Sequence, residues 1–598
     1  MALNLSAKQA ISFMADTAYV GRRPLQRFFR MLENYRKEIY YILLLGILAA
    51  LVNLSLPLGV QAIINLVMGG RVSNAWILLV VIVLIGVVLA GFFQILQMSM
   101  AETIQQRLYI RAVYELAYRM PRWDFNHLLK EYPPELANRF FDVLTIQKGL
   151  PKLLKDFITA FIQILFGLLL LSFYHPFFIF FGLFLLIYLV LIFVYSGPKG
   201  MKSSLMESKY KYKTAFWLEE IGRVLPSFKL NGGSDIINEK LHPIAENYIK
   251  YRKEHFKVLL FQFGNIVVFK TIITGGLLIL GGILVINRDI SLGQFVASEI
   301  IIIIILNSVE KLMLSLEVIY DVLTGTEKLG QVMDIPLEKY DGISFNELEK
   351  EGPKPIKLTM KNISYSFDPR HKSRLTDISL ELAPGERVCL SGPNNSGKST
   401  LLHIAAGLYT NYSGVVLFND VPIQNIEPFS LRSRIGDNLS DQNIFHGTIL
   451  ENLMMGRDVE LSEILSLCEK FGLTNLVNEL PDGFETEIFP NDRRIPKSFF
   501  KKILLIRSLL NKPGLLLLED ILSELETGYC ETVSEYLTDK NNSYTLLAIS
   551  NLYTFAKRCD KTIIIENGKV VATGHVDDLI RDESIRKMFR FTIEGLEP

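Results

Sequence analysis

Six long apolar stretches, near residues 40–67, 75–100, 156–173, 176–196, 258–286 and 292–313, constrain this chain more than any other feature. A helix in a soluble core rarely stays apolar for about 20 residues, because one face must meet water. The run Ile300–Ile305 is apolar on every face, as contact with lipid requires. The chain therefore reads as six membrane spans. The third and fourth are joined only by SFYHP, a tight hairpin. The segments between spans two and three, and between four and five, are each roughly 60 residues long and rich in Lys and Arg. The positive-inside rule then places both long segments and both termini in the cytoplasm, with helices that reach past the bilayer.

Apolar residues, 49% of the chain, are concentrated before residue 315, and charge is denser after it. A membrane half is followed by a water-soluble half. The net charge of +1 over 598 residues argues against a nucleic-acid partner. Cys389, Cys468, Cys530 and Cys559 lie in the second half without paired or metal-ligand spacing, as expected of reduced thiols. The first 35 residues carry Arg22, Arg23, Arg27 and Arg30 and no continuous apolar run; they read as an amphipathic cytoplasmic helix, not a cleaved leader. Lys270 and Glu299 are ionisable residues inside spans. Lys270 reads as a snorkelling residue near the inner boundary. Glu299 is deeper, and either faces a polar cavity or meets a neighbouring helix. The depth difference of about 13 Å, at about 1.5 Å per residue from the turn near residue 289, argues against a Lys270–Glu299 pair.

In the second half, RVCLSG leads into GPNNSGKST and then LLHIAAGL. This is G-x-x-x-x-G-K-[ST] between a strand and a helix, the phosphate-loop pattern. Gly392 and Gly397 let the backbone N–H groups of Pro393–Asn394–Asn395–Ser396 and the following turn face phosphate, proline itself having none to offer. Lys398 reaches the β and γ phosphates, Ser399 can ligate Mg²⁺, and Thr400 continues the helix start. ATP and Mg²⁺ are the implied ligands.

With these motifs in place, the chain resembles an ABC exporter half-transporter. The implied fold is multidomain: an all-α six-helix transmembrane domain (36–330, after the segment 1–35), a linker (331–355) and an α/β P-loop NTPase of ABC type (356–598). PPELANRFFDVLTIQKGL and GGILVINRDISLGQFVAS look most like type I secretion and peptide exporters. That likeness implies a peptide or protein substrate and a periplasmic adaptor, with lipid or drug still open. The family implies a plasma-membrane homodimer or heterodimer, with two ATPs between paired domains. Each site then takes the phosphate loop of one chain and the signature helix of the other.

Carried along the chain, the family pattern departs from consensus around an intact phosphate loop. Phe367 falls where an aromatic stacks on adenine. Anchors Gly436, Phe445, Gly447 and Thr448 put Ser440 where the Q-loop glutamine belongs. The signature reads Ile495, Pro496, Lys497, Ser498, Phe499. Pro513 and Ser523–Glu526 keep Glu519 at the metal-associated aspartate position and Asp520 at the catalytic glutamate position. Counting back from Asp560 puts Asn551 at the switch histidine. Asp520 is one methylene short, a displacement of about 1 Å that can cost on the order of 10²-fold in rate. Asn551 is uncharged, Ser440 is short, Pro496 lacks an N–H and Phe499 adds bulk at the signature. These departures imply ATP binding with weak hydrolysis. The chain is then either an exporter subunit whose partner does most of the hydrolysis or a non-hydrolytic ATP-gated receptor. MPRWDFNHL and FWLEEIGRVLPSFKL are the candidates for coupling helices, against ordinary amphipathic packing.

Overall fold

The computed structural model describes residues 24–591 apart from 70–73, 130, 232–234, 349–353, 368–373, 440–442, 491, 493, 511, 521 and 523–526. Two compact units divide it: residues up to Trp123 with Lys130–Pro336, and Asp124–Leu129 with Leu337 onward.

The first unit is helical. Among the described residues, six helical segments are long and apolar enough to span a membrane: Arg36–Met68, Ala75–Arg122, Pro133–Ser172, Phe177–Arg223, Ile236–Ile286 and Leu292–Met333. Spans two, four and five are continuous helices of 45, 47 and 51 residues. The basic segments read from sequence as long loops are thus mostly helix, and their Lys and Arg residues ride on extensions of the spans. Span six begins at a capping box, where Ser291 Oγ accepts from Gln294 N (3.1 Å) and Gln294 Oε1 accepts from Ser291 N (2.8 Å). Its apolar stretch is 50% buried within the chain, against 6% for span two, so span six is the packing centre of the unit. The helix runs through residues 331–333, which the sequence reading assigned to the linker. Pro24–Glu33 forms the amphipathic helix expected near the N-terminus. Arg27 from it is buried against the end of span six, with Nη2 2.5 Å from Asp334 Oδ2 and Nε 3.5 Å from Glu327 Oε2.

The second unit is built on a six-stranded sheet in the order Lys569–Gly574, Lys561–Glu566, Arg387–Ser391, Thr545–Ile549, Leu515–Glu519, Ile435–Asn438. Its central strands read as unbroken apolar runs because helices cover both faces. Arg387–Ser391 and Thr545–Ile549 are buried at every position. A four-stranded antiparallel sheet, in the order Leu375–Leu382, Leu358–Tyr365, Ser413–Phe418, Val421–Pro422, packs beside it. Phe345, in the stretch read as linker, is fully buried in this unit's core, and its N–H donates to Ser430 Oγ (2.9 Å). Asp124–Leu129, from MPRWDFNHL, belongs to the same unit: Asn126 Nδ2 donates to Thr410 Oγ1 (2.7 Å) and the Phe125 ring lies 5.8 Å from Tyr409.

Candidate nucleotide site

Parallel register assembles the site. Ile549 pairs with both Leu390 and Glu519, so three strands end level at one edge of the sheet. The residues that follow, Ser391–Gly392, Asp520 and Ser550–Asn551, emerge together there, where ligands of open α/β sheets bind.

Gly392 has φ +142°, and a Cβ there would lie 2.0 Å from Ile565 O; Gly397 has φ +106°, and its Cβ would lie 2.6 Å from Leu375 Cδ2. Both positions exclude a side chain, which is why the loop reads Gly twice. Lys398 folds back over the loop, and Nζ donates to the carbonyls of Gly392 (2.8 Å) and Pro393 (2.7 Å). Burial lowers its pKa, opposed by Asp520 and Glu519. The Ser399 hydroxyl donates to Glu519 Oε1, so the two groups assigned to Mg²⁺ are neighbours. Residues Asn394–Thr400, Glu519, Asp520 and Asn551 line one cavity of about 1130 Å³. A triphosphate fits these residues: glycines that leave the loop open, a buried ammonium, and paired hydroxyl and carboxylate oxygens for a hard cation.

The positions that the family resemblance assigns to hydrolysis differ in kind. Asp520 is exposed and takes a left-handed φ of +42°, with its N–H donating to Ile549 O (3.1 Å). Asn551 is tied to the loop itself: Oδ1 accepts from Ser391 Oγ (2.8 Å) and Gly392 N (3.4 Å), and Nδ2 donates to Gly392 O (3.3 Å). Pro496 is the N-cap of helix Lys497–Leu509, where a missing N–H removes nothing from the helix ladder. Lys497 is exposed and Ser498 half-buried, while Ile495 lies in the preceding bend. Phe499 is a correction to the sequence reading. Its ring is 1% exposed and part of the core, so its bulk points inward and does not crowd the helix start. Phe367 does not line the cavity; it is 47% exposed and meets Tyr365 (5.1 Å) and Tyr409 (5.8 Å) edge-on. Ser440 and the Ser523–Glu526 anchor lie outside the described residues.

Sequence reasoning missed Arg374, which lines the cavity and donates from Nη2 to Asn395 Oδ1 (3.4 Å), and the basic pair Lys557 and Arg558 on another wall. No motif marks them; only the fold brings them to the loop. In the spans, Lys270 has a partner that the sequence reading did not give it. Its ammonium pairs with Glu310 of span six. Glu299 is half-buried and makes no hydrogen bond or ion pair with a described residue.

Comparison with known proteins matches residues 39–309 to the ABC transporter transmembrane region and residues 375–522 to the ABC transporter domain. The chain is 23% identical over 578 residues, 94% of its length, to a putative export ATP-binding/permease protein of Rickettsia bellii, covering 97% of that protein. It is 26% identical over 312 residues to the Lactococcin-G-processing and transport ATP-binding protein LagD of Lactococcus lactis subsp. lactis, covering 51% of this chain and 43% of that one. Against several other curated relatives it spans about half of their length. Its fold superposes with a TM-score of 0.78, at 18% identity, on a bacterial Atm1-family ABC exporter with ATP bound, covering 92% of this chain and 98% of that one.

Proposed function

The chain belongs to the ABC exporters as a half-transporter, with six membrane spans and one ABC ATP-binding domain, and from that premise we propose that it is the ATP-holding subunit of a dimeric exporter whose own phosphate loop splits ATP slowly. The observation that carries this reading is the contrast within one cavity. Lys398, Ser399 and Glu519 are placed to hold a metal-bound triphosphate. Asn551 has its carboxamide committed to Ser391 and Gly392, and Asp520 brings a short carboxylate to the catalytic position. Bound Mg²⁺ would supply charge neutralisation on the phosphates. Lys398 and the loop N–H groups orient them, and Glu519 and Ser399 supply the metal's protein oxygens. Asp520 would have to orient the attacking water from about 1 Å too far away.

The protein would lie in the plasma membrane with both termini in the cytoplasm, as the basic helix extensions favour. The LagD likeness supports a peptide cargo. A partner half-transporter with consensus groups would supply most of the hydrolysis. Turnover of the purified full chain, alone and with any co-purifying half-transporter, tests this. We expect ATP to bind and the chain alone to turn over on the order of 10²-fold more slowly than a consensus ABC exporter. Ordinary turnover by the chain alone would defeat the proposal. A stable homodimer that binds ATP, does not split it and moves no cargo would instead identify an ATP-gated receptor.

A further inference from the structure

The hairpin that the family pattern assigns to the adenine base offers a different side chain to the nucleotide cavity. Strands Leu358–Tyr365 and Leu375–Leu382 run antiparallel with Tyr365 opposite Leu375, so the residues just beyond them, Phe367 and Arg374, lie at the same end of the hairpin. The Arg374 N–H donates to Tyr365 O (2.8 Å). Its carbonyl abuts the phosphate loop: a Cβ on Gly397 would lie 3.0 Å from it, and one on Gly568 2.5 Å. The backbone at 374 is thereby held against the loop.

Phe367 joins a cluster of rings instead of the cavity. It meets Tyr365 and Tyr409 edge-on, and Tyr409 stacks on both Tyr365 (5.2 Å, 2°) and His403 (5.1 Å, 16°). Among the described residues no aromatic ring lines the cavity, whereas Arg374 does. Its guanidinium is anchored along one edge: Nε is buried without a partner, and Nη2 donates to Asn395 Oδ1 (3.4 Å). It forms no ion pair with a described residue. The other guanidinium groups of the lining, Arg558 and Arg590, are exposed and belong to the segments around Asn551. A planar cation held by its edge keeps its faces for stacking, and a nucleobase presents a flat π surface.

We infer that Arg374 is the base platform of this nucleotide site, its guanidinium stacking on the adenine ring in place of Phe367. The inference rests on the ATP-holding reading above and adds how the base is held. Lys398, Ser399 and the loop N–H groups already meet the phosphates and their metal. What the lining lacks is a flat face for the base, and Arg374 supplies one from the hairpin that the family pattern assigns to that task.

The test compares ATP with ribose 5-triphosphate, which has the phosphates and no base. Binding of each is measured by calorimetry with Mg²⁺ present, on the purified full chain and on Arg374→Lys and Arg374→Ala, with the thermal unfolding midpoint as the control for folding. Arg374→Lys keeps the charge and removes the plane. It should weaken ATP about tenfold and change ribose 5-triphosphate by less than about twofold. Arg374→Ala should weaken ATP at least as much, with a smaller loss for ribose 5-triphosphate. Full ATP affinity in Arg374→Lys would overturn the platform and make the residue a charge for the phosphates. Equal losses for the two ligands in Arg374→Lys would also overturn it, and would make Arg374 a positioning residue that acts through Asn395. A tenfold loss of ATP affinity in Phe367→Ala, with Arg374→Lys unaltered, would return the base to the aromatic ring. The two claims fail separately. If both ligands bind and Arg374→Lys changes neither, the ATP-holding reading stands and the platform falls. If the folded, unaltered chain binds neither ligand, the ATP-holding reading falls and takes the platform with it.

Discussion

The nucleotide cavity has two walls built in different ways. On the gripping wall, nine consecutive residues, Gly392 to Thr400, form one strand-loop-helix turn whose glycines cannot be replaced without a clash. On the splitting wall, Asp520 and Asn551 come from separate segments that meet only because parallel strands end level. A contiguous loop keeps or loses its function as a unit. A site assembled from distant segments can change one residue at a time while the core behind it stays packed.

Phe499 gives the largest expected effect. Its ring is 1% exposed within the core of the nucleotide unit. Restoring the consensus residue, Phe499→Gln, puts a carboxamide where no partner awaits it and should cost about 3–5 kcal/mol, read as a lower thermal unfolding midpoint of the full chain. A neutral effect would mean that the helix start is free to adopt the consensus arrangement. Lys398→Ala comes next. Loss of a buried charge-assisted contact to phosphate should weaken ATP binding by roughly 10²-fold, or about 3 kcal/mol, in a fluorescent-nucleotide titration.

How much of this was legible follows the same division. The phosphate loop and the spans were readable because each is written in adjacent residues, as loop chemistry in one case and unbroken apolarity in the other. The Lys270–Glu310 pair was readable in principle. With the turn near residue 289, the two lie about 19 and 21 residues from it and so at nearly equal depth, but Glu310 stands at the edge of the apolar run, where a charge does not draw the eye as an intramembrane one. Phe499 was not readable, since nothing in Ile495–Phe499 says which way the ring turns until the helix begins at Lys497. Arg374 was not readable either, because the contact that recruits it is tertiary.

Asp520→Glu sharpens the comparison from the other side. If the splitting wall fails only for want of a methylene, the substitution should raise turnover of the full chain about tenfold while leaving ATP affinity within a factor of about two. Asp520 holds a left-handed φ of +42°, and the longer carboxylate must be accepted there. Asn551→His alone should add little, because the side chain at 551, though it borders the cavity, is tied by hydrogen bonds to Ser391 and Gly392. A large gain from Asn551→His by itself would show that this contact yields to the nucleotide, and the splitting wall would then be poised and not lost.

The smallest effect concerns protons on the gripping wall. Burial lowers the Lys398 pKa from 10.5, while Asp520 and Glu519 raise it. A lysine with a depressed folded pKa binds fewer protons than it does unfolded just below 10.5, so through that window its contribution to folding becomes less unfavourable as pH rises. A bound triphosphate acts the opposite way, because anionic oxygens beside Nζ favour the charged form. ATP binding should therefore take up a fraction of a proton on the alkaline side, and affinity should fall there as pH increases. Calorimetry in two alkaline buffers of different ionisation enthalpy reads the uptake directly, and Lys398→Arg should remove it, since a guanidinium stays charged throughout. Equal proton uptake in both proteins would move the titrating group off Lys398.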